Sequence, residues 1–160
     1  MTSSTPTPAL RLIADPGPLG LAGFALTTFV LSIFNAGLLD SSLEPVVLPL
    51  ALFYGGLVQL LAGMWELVKN NTFGALAFSS YGAFWMSFAA YVKFVVPGLP
   101  ADTAHQATGV FLLAWTIFTL YMTVVTLKIS VGLMSVFVPL SITFALLTVG
   151  AFAQAESVTH

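Results

Sequence analysis

The stretch DPGPLGLAGFALTTF, residues 15–29, places two prolines and a glycine directly before a long apolar run. Asp15 precedes a proline, and this position favours extended backbone. Pro18 suits the first turn of a helix, because the N–H that proline lacks would have no partner there. The Asp15 carboxylate would then lie near the free amides and the positive end of that helix. The stretch therefore predicts a rigid entry into a long apolar helix.

The composition indicates a membrane protein. Of 160 residues, 58% are hydrophobic and 6% are charged, and the net charge is −2. The mean hydropathy of +1.01 lies far from that of a soluble domain. So few charges form no basic patch, which argues against nucleic acid as a partner. The absence of cysteine excludes a disulfide framework and a thiolate nucleophile. Residues 1–14, rich in Ser, Thr and Pro, predict a disordered tail and not a signal peptide.

Five apolar stretches are long enough to cross a bilayer, and short segments with turn residues separate them. Only helices and closed barrels can span lipid, and unbroken apolar runs without a ten-residue alternation indicate helices. We therefore predict an all-α membrane protein with one transmembrane domain over residues 15–160. The predicted spans are residues 18–39, 45–68, 73–96, 106–127 and 130–153.

The few basic residues indicate the orientation. With a cytoplasmic N-terminus, Arg11, Lys69 and Lys128 lie on the cytoplasmic side, and Lys93 alone lies near the outer side. The positive-inside bias prefers this arrangement. Five spans would then leave the C-terminal end outside, and for this reason we expect a sixth helix.

Small and polar residues line one face of several predicted helices. Gly, Ser and Thr let membrane helices approach closely and hydrogen-bond, so we expect these faces to pack against one another. Gln59 and Asn35 leave two interpretations open, a water-filled path or bonds between helices, because an amide has four hydrogen-bonding sites. Glu66 lies near the predicted cytoplasmic end, where we expect it to be solvated. The faces are Phe24, Thr27, Thr28, Leu31 and Asn35; Gly55, Gly56, Gln59, Gly63 and Glu66; and Thr116, Thr119, Thr123 and Thr126.

Several chemistries have no support in the sequence. No charged residue lies near the middle of a predicted span, which argues against an acidic proton relay or a voltage sensor. The patterns HExxH, GxSxG and the P-loop are absent. We therefore predict no catalytic residue, no metal site, no cofactor and no enzymatic activity. Pro139, inside the fifth span, predicts a kink beside Leu140.

Motifs in order along the chain resemble the acetate and succinate permease family, the acetate uptake transporters. The segment at 15–21 resembles the family signature Asn-Pro-Ala-Pro-Leu-Gly-Leu, with Asp15 and Gly17 in place of Asn and Ala. Phe-Tyr-Gly-Gly at 53–56 resembles the second helix of the family, and Asn-Thr-Phe-Gly at 71–74 its third. The resemblance continues to Gly150. Its entrance motif comprises Asp15, Pro16, Pro18, Leu19 and Gly20.

The resemblance implies six helices in a fold similar to the urea and amide channels, and a homohexameric ring with one pore in each protomer. It also implies an apolar pore constriction, which falls on Phe24, Tyr81 and Leu140. From the polar faces and the resemblance, the candidate residues of the solute path are Thr27, Asn35, Gln59, Glu66 and Thr119.

The predicted function is transport of small carboxylates, acetate foremost and succinate second, across the plasma (inner) membrane. Both an anion channel and a proton-linked permease fit this prediction. Two other functions stay open. A channel for urea or a small amide would suit Gln59 and Asn35 equally well. A membrane scaffold that transports nothing would use the polar faces for packing alone.

Overall fold

The computed structural model describes residues 13–157, and for residues 154–157 it describes the backbone only. Within this range the chain forms helices and turns and no strand, which confirms the all-α prediction. The predicted tail lies almost wholly outside the described residues, as does Arg11.

Five helical segments follow one another between residues 13 and 157. The second begins as a 3₁₀ turn and contains a π-helical turn, and the third ends in a π-helical turn followed by a 3₁₀ turn. The segments are, in chain order, Gly17–Asn35; Ser41–Val46, Val47–Leu52, Phe53–Val58 and Gln59–Val68; Thr72–Ala90, Tyr91–Val95 and Val96–Gly98; Ala104–Thr126; and Val131–Ser157.

The first helix ends four residues earlier than its apolar run. Gly37 has a φ of +66°, a left-handed conformation that glycine adopts readily at the end of a helix. Its N–H donates to the Phe34 carbonyl oxygen at 2.8 Å. The second segment begins at Ser41, where the Ser42 N–H donates to Asp40 Oδ1 at 2.8 Å. Hydrogen bonds from the Ser42 side chain and backbone lower the pKa of the Asp40 carboxyl.

Among the described residues, four helices are long and apolar enough to cross a membrane. The third helix, Thr72–Ala90, has 19 residues but is not one of these four. Eight of its residues are buried, among them Tyr81 and Trp85. Polar residues in membrane helices face the interior of the protein and not the lipid, so a largely buried helix need not be as apolar as its neighbours. The four are Gly17–Asn35, Ser41–Val68, Ala104–Thr126 and Val131–Ala153.

The chain forms two compact units, with the division between Ala89 and Ala90. In the first unit, glycines allow the backbones of the first three helices to touch. A Cβ atom added at Gly23 would lie 2.7 Å from the Tyr54 carbonyl oxygen, and one added at Gly82 would lie 2.6 Å from the Leu60 backbone nitrogen. The expectation that these small faces pack against one another is confirmed.

In the second unit, hydroxyl groups join the fourth and fifth helices. Thr116 Oγ1 lies 2.8 Å from Thr148 Oγ1, and Thr123 Oγ1 lies 2.7 Å from Ser141 Oγ. Such bonds between membrane helices contribute about 0.6 kcal/mol each. The threonine face therefore serves packing, as expected. The fifth helix continues through Pro139.

Candidate solute path

Phe24 and Tyr81 form an aromatic pair in the first unit. Their ring centroids are 5.8 Å apart and their planes are inclined by 57°. Each ring stands beside a glycine that brings its helix against the second one, Gly23 before Phe24 and Gly82 after Tyr81. Tyr81 is buried. The structure thus places these two residues of the predicted constriction together.

Two fully buried side chains of the first and second helices carry a polar atom that has no hydrogen-bond partner among the described residues. The two atoms are Thr27 Oγ1 and Gln59 Oε1, on side chains that are 0% and 1% exposed. A Cβ atom added at Gly55 would lie 2.5 Å from Thr27 Oγ1, and one added at Gly23 would lie 3.5 Å from Gln59 Cβ. Both side chains therefore lie where the first and second helices meet.

An unmade hydrogen bond in a buried position costs about 1–3 kcal/mol. Buried polar groups in native proteins nearly always have a partner in the protein or in bound water. Thr27 and Gln59 are therefore suited to bind a small polar molecule that enters between these helices.

Of the other predicted residues of the path and the constriction, Asn35 lies in the first unit, and Thr119 and Leu140 lie in the second. Asn35 is exposed at the end of the first helix, eight residues beyond Thr27 and thus about 12 Å along the axis. Thr119 is buried on the fourth helix and donates to the Trp115 carbonyl oxygen at 2.8 Å. Leu140 is partly exposed on the fifth helix. Thr119 and Leu140 belong to the second unit, and their place in the path stays a prediction.

The expectation that Glu66 is solvated is wrong. Glu66 is 1% exposed, and its Oε2 accepts a hydrogen bond from Asn71 Nδ2 at 2.7 Å. Lys69 Nζ lies 4.0 Å from the same oxygen. Glycines make the room, because Cβ atoms added at Gly17 and Gly74 would lie 3.5 Å and 3.0 Å from the Glu66 carboxyl group. Because these glycines belong to the first and third helices, no pattern along the sequence linked them to Glu66.

The entrance motif begins the first helix as predicted. Pro18 lies in the first turn, and Asp15 Oδ1 accepts a hydrogen bond from the Gly17 N–H at 3.0 Å. The same oxygen lies 2.6 Å from Lys69 Nζ. Gly20 is buried against the ring of Phe78. The ion pair joins the start of the first helix to the end of the second, a contact that the sequence analysis missed.

We expect Asp15→Asn to lower the free energy of unfolding by less than about 1 kcal/mol, because an exposed ion pair contributes little. The effect should shrink at high salt, since salt screens exposed charges. Thermal unfolding in detergent at two salt concentrations measures it, with exposed Asp102→Asn as the control. A loss well above 1 kcal/mol would show that this ion pair stabilises the fold more than an exposed ion pair normally does.

The apolar helices, together with the aromatic pair and its unpartnered polar neighbours, are typical of membrane proteins that conduct small solutes. The comparison with known sequences then identifies the family. The chain belongs to the GPR1/FUN34/yaaH family, which it matches over residues 1–160.

The relatives include proteins named as acetate transporters. The chain is 47% identical to acetate permease A of Emericella nidulans, over 88% of this chain and 50% of that protein. It is 41% identical to the succinate-acetate/proton symporter SatP of Escherichia coli, over 92% of this chain and 78% of that protein. The solved structure of the bacterial acetate channel SatP matches with a TM-score of 0.81 and 41% identity, over 91% of this chain and 80% of that chain.

The resemblance inferred from the sequence motifs is therefore confirmed. The chain spans about half the length of several fungal relatives, for example 54% of accumulation of dyads protein 2 of Saccharomyces cerevisiae, with which it shares 46% identity.

Proposed function

We propose that this protein conducts small carboxylates across a membrane, acetate foremost and succinate second. The observation that carries the proposal is the pair of buried groups Thr27 Oγ1 and Gln59 Oε1, which have no partner among the described residues, in the same unit as the rings of Phe24 and Tyr81. The names of its relatives, acetate permease A and the symporter SatP, support the choice of solute.

The chemistry of these groups suits a carboxylate in transit. An ionised carboxylate loses several kcal/mol of hydration in a dry passage, and a fixed cation would hold it too firmly to release it. The Thr27 hydroxyl can donate a hydrogen bond to a carboxylate oxygen, and the unpartnered Gln59 Oε1 can accept one from the O–H of the protonated acid. Neutral donors offset part of the lost hydration and still let the solute leave. The aromatic pair faces the methyl group of acetate and restricts the passage of water.

The setting that we propose is a homohexamer in the plasma (inner) membrane, with one path in each protomer and a cytoplasmic N-terminus. The family resemblance supports the hexamer, and the positions of Lys69 and Lys128 support the orientation. The proposed activity is transport and includes no enzymatic step.

Flux into proteoliposomes of the purified protein tests this proposal. We expect acetate uptake well above that of protein-free liposomes, with succinate slower and urea at the background. Accumulation of acetate above equilibrium under an inward proton gradient would show a proton-linked permease. Flux that only equilibrates acetate and that changes with the membrane voltage would show an anion channel. Urea flux without acetate flux would refute the carboxylate proposal in favour of an amide channel. Background flux for all three solutes would leave the scaffold function.

Two substitutions test whether the solute passes Gln59 and Phe24. We expect Gln59→Leu to lower acetate flux by up to about tenfold, because it removes the Oε1 acceptor and a neutral hydrogen bond contributes roughly 0.5–1.5 kcal/mol. Phe24→Ala widens the proposed constriction and should raise succinate flux relative to acetate. Phe29→Ala is the matched control, since Phe29 lies on the same helix and is 63% exposed. Equal effects of the two phenylalanine substitutions would contradict a path past Phe24.

A further inference from the structure

We infer that Trp85 provides a further hydrogen-bond donor to the transported carboxylate, one helical turn from the aromatic pair. The inference rests on the proposed transport of carboxylates and adds a binding residue to that path. The side chain of Trp85 is 3% exposed, and its Nε1 has no hydrogen-bond partner in the described part of the chain. Because a buried indole N–H usually finds an acceptor, this donor is suited to a bound molecule.

The position of Trp85 connects it with the path. Trp85 follows Tyr81 by four residues on the third helix, so both side chains lie on the same side, about 6 Å apart along the axis. The next residue, Met86, touches the second helix, because a Cβ atom added at Gly56 would lie 2.5 Å from Met86 Cγ. The adjacent Gly55 touches Thr27. Trp85 and Thr27 therefore lie at the same level of the first unit.

The groups at this level favour a carboxylate over an amide. The indole N–H only donates, and the Thr27 hydroxyl can donate as well. A carboxylate accepts both bonds and brings no donor of its own. The N–H groups of urea would meet mainly aromatic rings here, since Trp85 packs against Phe84 and Phe88 at centroid distances of 5.1 and 6.1 Å. Trp85 thus provides a reason for the protein to select carboxylates over amides, which Gln59 alone does not.

The same positions give the order of the binding groups along the proposed path. Gln59 is near the aromatic pair, and Thr27 and Trp85 are one turn further along the helices. A carboxylate can pass from the amide of Gln59 to the donors at Thr27 and Trp85 in a step of about 6 Å, the rise of one helical turn. Several weak sites in succession allow a solute to enter and still to leave.

Indole N–H resonances test the inference directly. The full-length protein, labelled with ¹⁵N at tryptophan and held in lipid nanodiscs, has three indole signals, from Trp65, Trp85 and Trp115. We expect sodium acetate to shift the Trp85 signal downfield in a saturable way, and sodium chloride at equal ionic strength to leave it in place. Trp65, which is 49% exposed, should not respond. The signal lost in Trp85→Phe assigns the resonance.

The same variant provides a functional measurement. Trp85→Phe keeps the aromatic body and removes the donor, so the acetate concentration for half-maximal flux should rise roughly tenfold. Trp65→Phe should leave it unchanged. A Trp85 signal that stays fixed while the wild type transports acetate would overturn the inference and leave the proposed function intact. Absence of both the shift and the flux would overturn both. If Trp85→Phe fails to fold, the signals lost in Trp65→Phe and Trp115→Phe leave the Trp85 signal assigned, and the wild-type titration decides.

Discussion

Replacement of Gly82 by alanine is expected to lower the free energy of unfolding by about 2 kcal/mol or more. The added Cβ would lie 2.6 Å from the Leu60 backbone nitrogen and 2.8 Å from the Gly56 carbonyl oxygen. Both atoms are backbone atoms of a helix and cannot turn aside as a side chain can. The second and third helices must therefore separate, which also disturbs the neighbouring Tyr81 and should abolish most acetate flux.

The matched control is Gly150→Ala on the fifth helix, where an added Cβ meets nothing within 4 Å. Alanine is a better helix former than glycine by about 1 kcal/mol, so this variant should be as stable as the wild type or slightly more stable. The two variants are compared by their midpoints of thermal unfolding in detergent, measured as the loss of monodisperse protein with temperature. Equal midpoints would show that the first unit tolerates separation of these helices, contrary to the packing described.

The second large effect is expected for Glu66→Ala, a loss of about 3 kcal/mol. The substitution removes a buried carboxylate and leaves Asn71 Nδ2 without its acceptor. Lys69 loses one of its two acidic neighbours, and a space opens beside Gly17 and Gly74. Unmade hydrogen bonds and empty volume both lower stability.

Glu66→Gln separates the charge from the hydrogen bond. Glutamine has nearly the same shape and keeps an acceptor for Asn71, so we expect the loss of stability to be about 1 kcal/mol. The two variants are measured by the same thermal unfolding. A Glu66→Gln variant as unstable as Glu66→Ala would show that the negative charge, and not the hydrogen bond and volume, stabilises this end of the first three helices.

Much of the fold could be predicted from local sequence patterns. The entry at residues 15–29 begins a helix with Pro18 in its first turn, because proline geometry acts within a few residues. The long apolar runs predict helices, because a single segment in lipid can hydrogen-bond all its backbone N–H and C=O groups only by forming a helix. The glycine and threonine faces predict close packing because they recur at helical spacing.

Two other local features of the helices could not be predicted from the sequence pattern. The π-helical turns at Phe53–Val58 and Tyr91–Val95 lie within apolar segments whose hydrophobic pattern does not distinguish a π turn from an α turn. The first helix ends early because Gly37 adopts a left-handed conformation. The apolar residues that follow Gly37 continue the hydrophobic run, so the sequence pattern did not indicate this end.

The sequence by itself determined the all-helical membrane fold, the entrance at Asp15 and Pro18, and the small-residue faces, because each follows from neighbours at most a few turns apart. Only the tertiary structure decided which polar groups are paired. Asp15 meets Lys69 across 54 positions, and Glu66 is buried because Gly17 and Gly74 leave it room. Thr27 Oγ1, Gln59 Oε1 and Trp85 Nε1 have no partner among the described residues for a related reason. Whether a buried donor finds an acceptor depends on which helices meet, and no spacing along one helix contains that information.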